Sequence, residues 1–104
     1  MAKYVLVYKG GGMAQTDAER EAAMAAWGSW FGTLGAAIVD PGNPFGGSTA
    51  VSANGGGGTA SSALTGYTVL TADSLEGAAE LAKGCPVLNN GGSVEVYETI
   101  DVVM

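Results

Sequence analysis

The chain has 104 residues, a net charge of −6 and four cationic side chains, Lys3, Lys9, Arg20 and Lys83. Four scattered cations cannot displace the counterions of nucleic acid or hold an anionic membrane surface, so neither partner is expected. The length suits one domain, residues 1–104, with a single core and little margin. Charged residues make up 13% of the chain where about 25% is usual, which favours self-association.

Residues 3–8 read KYVLVY, and their β-branched and aromatic side chains predict a strand. Tyr4, Leu6 and Tyr8 share one face, while Val5, Val7 and Lys9 share the other. A strand apolar on both faces belongs in the middle of a sheet covered on both sides. Gly10, Gly11 and Gly12 end it. Thr16 and Glu19 then form a capping box, which predicts a helix over Asp17–Leu34. Met24, Trp27, Phe31 and Leu34 form its apolar stripe, with Trp30 to the side, free for a pocket or an interface. Gly28 and Gly32 weaken the helix and offer a place for close backbone approach.

A glycine-broken strand region is expected over Ala36–Val51, interrupted at Pro41-Gly42-Asn43-Pro44. Residues 52–62, with Gly55 to Gly58 in a row, read as a flexible hairpin tip. A second strand is expected over Ala63–Thr71, with one interior glycine, Gly66. Asp73 and Glu76 mark the start of a short helix over Leu75–Lys83, and Gly84 and Pro86 stop it. A last strand over Ser93–Thr99 alternates Val94 and Val96 with Glu95 and Tyr97.

This β-α-β-β-α-β order is the ferredoxin-like plan: an α+β sandwich with an antiparallel sheet, helices on one face and the other face bare. The residues Gly66-Tyr67, Ala72-Asp73-Ser74-Leu75-Glu76, Ala82-Lys83-Gly84-Cys85-Pro86 and Gly91-Gly92-Ser93-Val94-Glu95-Val96 resemble the C-terminal half of the YCII-related proteins, including their DGPF branch. Lys3 to Tyr8 and Trp27-Gly28-Ser29-Trp30-Phe31 resemble the same family. The resemblance implies a homodimer paired through its sheet faces as a dimeric α+β barrel. Most of that family lacks an assigned activity; some members are proposed to be small enzymes using a histidine–aspartate pair, and one relative is a dehalogenating hydrolase. This chain has no histidine, so that pair cannot form. The Asp-Gly-Pro-Phe signature is also missing; the closest string is Asp40-Pro41-Gly42-Asn43-Pro44-Phe45.

Gly55-Gly56-Gly57-Gly58-Thr59-Ala60 has dinucleotide-loop spacing, but no helix pattern follows it, so the hairpin reading stands in its place. One cysteine, no histidine and no calcium-loop spacing give no reason to expect a metal, and no cofactor is expected. Cys85 reads as a structural thiol. No apolar run approaches the length of a membrane span, the first residues lack a signal-peptide pattern, and no internal disulfide is possible, so a cytoplasmic setting is expected.

Asp40, beside the Pro-Gly break, is the candidate catalytic base if burial raises its pKa; its plainer role is a turn aspartate accepting backbone N–H groups. Tyr8, Trp30, Tyr67, Glu95 and Tyr97 are the candidate ligand-binding residues, with Glu95 as the alternative base and Tyr8, Tyr67 or Tyr97 as hydrogen-bond donor. Three functions fit these residues. One is small-molecule binding, with or without metal-free catalysis, in a cleft beside the sheet. The second is a non-catalytic structural or regulatory homodimer that engages another protein. The third is a cofactor-independent monooxygenase, by analogy of architecture.

Overall fold

The computed structural model describes residues 2–11, 15–58, 60 and 62–102. Strand β1 runs Ala2–Lys9, helix α1 Asp17–Leu34, β2 Ile38–Asp40, β3 Leu64–Ala72, helix α2 Leu75–Ala82 and β4 Ser93–Glu98. Single 3₁₀ turns fill Gly35–Ala37 and Pro86–Asn90. The sheet order is β2-β3-β1-β4, antiparallel at every pairing. An α+β protein with four antiparallel strands in this order and two helices is compatible with the ferredoxin-like plan.

Strand β1 is central, as its doubly apolar pattern requires. Tyr4, Leu6 and Tyr8 are buried beneath the helices with Thr68, Leu70 and Ala72 of β3. Val94 and Val96 of β4 pack against this core from the side. Alternation sends Val5, Val7 and Val69 to the opposite face, which no helix or strand among the described residues covers. Glu95 and Tyr97 lie on that open face too, opposite Val7 and Val5.

Helix α1 starts where its cap requires: the Thr16 hydroxyl accepts the Glu19 N–H at 3.1 Å, and the Glu19 carboxylate accepts the Gln15 N–H at 2.6 Å. Its buried face is rotated from the expected stripe. Met24 is 69% exposed, whereas Trp30 is 6% exposed and lies in the core with Leu34. Trp27 and Phe31 are half-buried. The reason lies in α2: the Trp30 indole donates to the Leu81 carbonyl at 3.0 Å, and Gly84 leaves the space its ring occupies. Gly28 and Gly32 face solvent with no backbone near them, so the close approach expected there does not occur.

Strand β2 is shorter than expected. Only Ile38–Asp40 enters the sheet, with a register shift before Asp40. Pro41 and Pro44 have no N–H for a ladder, and Gly42 takes the left-handed conformation at φ 75°, so the chain turns away. It touches β3 again where Pro44 bridges Gly66 and the Phe45 N–H bonds the Thr65 carbonyl at 2.8 Å. Residues 46–51 form no strand. A tight turn follows, with backbone bonds from Ala50 to Gly58 and from Ser52 to Gly56, in accord with a hairpin tip. Thr59 and Ser61 of that tip, and Gly12 of the first glycine run, lie outside the described residues.

Helix α2 is capped by Ser74, one residue later than expected; its hydroxyl accepts the Gly77 N–H at 3.0 Å. Asp73 is one residue too early for that bond. Among the described residues no helix is long and apolar enough to cross a membrane.

Candidate functional site

The candidate site is a cleft on the helix side of the sheet, where β1 ends and β3 begins. Gly66 borders it at a place where the backbone of another segment packs close. Alternation points Gly66 and Thr68 of β3 toward the helices, and Gly66 puts nothing there. A Cβ at Gly66 would lie 3.3 Å from the Tyr8 ring and 3.2 Å from the Asn43 carbonyl oxygen. That close packing seats the 41–44 segment against β3, and beside it opens a cleft of about 220 Å³. Tyr8 and Thr68 form its floor, Trp27 and Phe31 of α1 one wall, and the segment 41–44 its rim.

The walls are aromatic and rigidly set. The Tyr8 and Trp27 rings meet edge to face, 5.2 Å apart at 72°. Trp27 and Phe31 are 5.8 Å apart and tilted at 44°. None of the lining residues carries a charge. The polar groups of the floor satisfy each other. The Tyr8 hydroxyl donates to Thr68 Oγ1 at 2.5 Å, and Thr68 Oγ1 donates to the Pro41 carbonyl at 2.8 Å. Burial pushes the Tyr8 phenol far above the usual tyrosine range. Cys85, 1% exposed, borders the same hydroxyl. Burial raises its thiol to about 11, offset in part by the Val87 N–H and by Tyr8. A thiol so held is a packing group, not a nucleophile.

The expected site residues fall in four places. Tyr8 and Tyr67 border the cleft. Asp40 does not line the cleft; its Oδ2 accepts the Tyr67 hydroxyl at 3.4 Å, from a side chain that alternation turns away from Gly66 and Thr68. The carboxylate is exposed, and its Oδ1 accepts the Gly42 N–H at 2.9 Å, the arrangement of a turn aspartate. Trp30 does not line the cleft; it sits behind Trp27 with ring centres 5.7 Å apart. Glu95 and Tyr97 are on the open sheet face, where the Tyr97 hydroxyl donates to Glu95 Oε1 at 3.0 Å. That bond, and then the carboxylate's charge, raise the Tyr97 pKa.

The sequence places Trp27 and Phe31 in the core rather than at a pocket, whereas they form the cleft's wall; it does not anticipate Thr68 and the 41–44 segment as floor and rim. One signal was available: a glycine inside an apolar strand marks a site where something approaches the backbone closely. Tyr67 also joins the two faces of the sheet, since its ring stacks on Phe45 at 5.8 Å and 19° while its neighbours Gly66 and Thr68 face the cleft.

Comparison with known proteins adds no relative: no protein-family model matches the chain, and no curated protein and no solved structure matches it.

Proposed function

We propose that this chain is a YCII-like protein that binds a small molecule in the cleft beside its sheet. Its open sheet face would meet a second copy to form a dimeric α+β barrel in the cytoplasm. The observation that carries the reading is the cleft itself: concave, walled by aromatic side chains and set on the helix side of a rigid sheet. The half-buried valines of the open face, Val5, Val7 and Val69, support the pairing. An isologous contact is the commonest way to cover such a surface. The reading needs neither metal nor nucleotide. If the bound molecule is also transformed, Asp40 is the carboxylate tied to a cleft residue, through Tyr67.

The monooxygenase reading loses support, since the loop Gly55–Gly58 does not border the cleft. The test of binding is a screen of small-molecule mixtures against the ¹⁵N-labelled protein. The expected result is movement of the Trp27 indole N–H and of the Thr65–Thr68 amides, with the Trp30 indole unmoved. Shifts confined to the open sheet face, or none with any mixture, would overturn it.

A further inference from the structure

We propose that the ligand of the cleft is a small, flat, uncharged aromatic ring, of the size of a benzyl alcohol; this deepens the binding reading above and rests on it. Size sets the first bound. An apolar cavity of about 150 Å³ holds one benzene. At about 220 Å³ the cleft admits one ring with a short substituent, not a nucleotide or a fused polycycle.

The walls set the shape. Trp27 stands edge-on to Tyr8 and tilted to Phe31, in contact with both, so a ring seated against this wall meets π-faces and ring edges at once. Offset and edge contacts of this kind add to what area burial alone supplies. A saturated ring of equal size would gain the burial without that addition.

Charge is decided by what the lining lacks. No Asp, Glu, Lys or Arg borders the cleft. Asp40, tied to the rim residue Tyr67, already receives the Gly42 N–H and the Tyr67 hydroxyl. The floor hydroxyls point their protons at each other and at Pro41, so no free donor there awaits an anion. An ion entering would lose its water and find no counter-charge, a cost that exceeds what one ring gains by burial. The net charge of −6 adds a long-range bias against anions.

The experiment titrates four probes into the ¹⁵N-labelled protein while following the Trp27 indole N–H: benzyl alcohol, benzoate, benzylammonium and cyclohexylmethanol. Saturable movement is expected with benzyl alcohol, with both ions about tenfold weaker or worse. The saturated alcohol should be about threefold weaker. Either ion binding as tightly as the alcohol overturns the uncharged class while leaving the cleft as a site. Equal binding of cyclohexylmethanol overturns the aromatic preference in the same way. No movement with any of the four overturns the ring class, and the wider screen then decides the cleft reading separately. Trp27→Leu should weaken benzyl alcohol about fivefold, read on the Thr65–Thr68 amides, with the Trp30 indole resonance in place as proof of folding. Undiminished affinity in that variant would place the ring elsewhere and overturn the proposal. If the variant does not fold, the four-probe comparison on the native protein decides the matter alone.

Discussion

Gly42 is the residue on which the cleft's rim turns. Its φ of 75° suits glycine, and a Cβ there would overlap the carbonyl oxygen of Tyr67. Gly42→Ala should therefore destabilise the protein by about 3 kcal/mol in urea unfolding, through strain and overlap together. Ala63 is the opposite case, a non-glycine residue held at φ 57° at the mouth of β3. Ala63→Gly should recover roughly 0.5–1 kcal/mol, since relief of the left-handed conformation exceeds the added freedom of the unfolded chain. Cys85 carries a pH prediction. Its folded pKa, about 11, lies above the ordinary thiol value of 9.0, because burial favours the neutral thiol. The stability this represents is complete below pH 9 and is lost as pH rises toward 11, since the unfolded chain releases its proton first. Tyr8, shifted in the same direction, steepens the loss above pH 10. Unfolding free energies measured from pH 8 to 11 should fall, and Cys85→Ala should flatten the part between 9 and 11. In the folded protein below pH 9 the thiol should resist alkylation until urea is added.

At the scale of elements, helix α1 is held by its second tryptophan. Trp30 fills the junction of α1, α2 and the sheet and satisfies its indole on Leu81. Trp30→Ala should cost about 3–5 kcal/mol. Met24, exposed one and a half turns earlier, should accept Lys within about 0.5 kcal/mol. The ordinary stripe reading, with Met24 inside and Trp30 aside, requires the reverse ranking, so urea midpoints of the two variants separate the two arrangements. Strand β2 shows the same dependence on neighbours. Its three residues persist because β3 supplies partners and because the Thr71 hydroxyl bonds the Ala37 carbonyl at 3.3 Å.

For the whole molecule, the open face is the surface that the proposed pairing would cover. With Val5, Val7 and Val69 on it, the proposed pairing of two copies would remove apolar surface from water. Each copy carries −6, so the pair repels itself at long range. Sedimentation equilibrium at micromolar concentration should show a dimer that tightens as salt is raised and the repulsion is screened. Val7→Glu should leave a folded monomer, since Val7 lies outside the helix-side core, and a dimer surviving that change would refute the sheet-face contact.

The sequence alone determined the element order, the central place of β1 and the bounds of α1, because these rest on local periodicity and on one cap that acts within a single turn. It also placed Glu95 and Tyr97 away from the helices, since alternation in β4 needs no knowledge of the rest. Only the tertiary structure decided which face of α1 is buried. Met24, Trp27, Trp30 and Phe31 are all apolar, and the choice among them came from the Leu81 carbonyl and the space at Gly84, distant in sequence from the helix. The cleft was hidden for the same reason. Its walls come from β1, α1, the 41–44 segment and β3, and the close approach of that segment to Gly66 exists only once those parts are assembled.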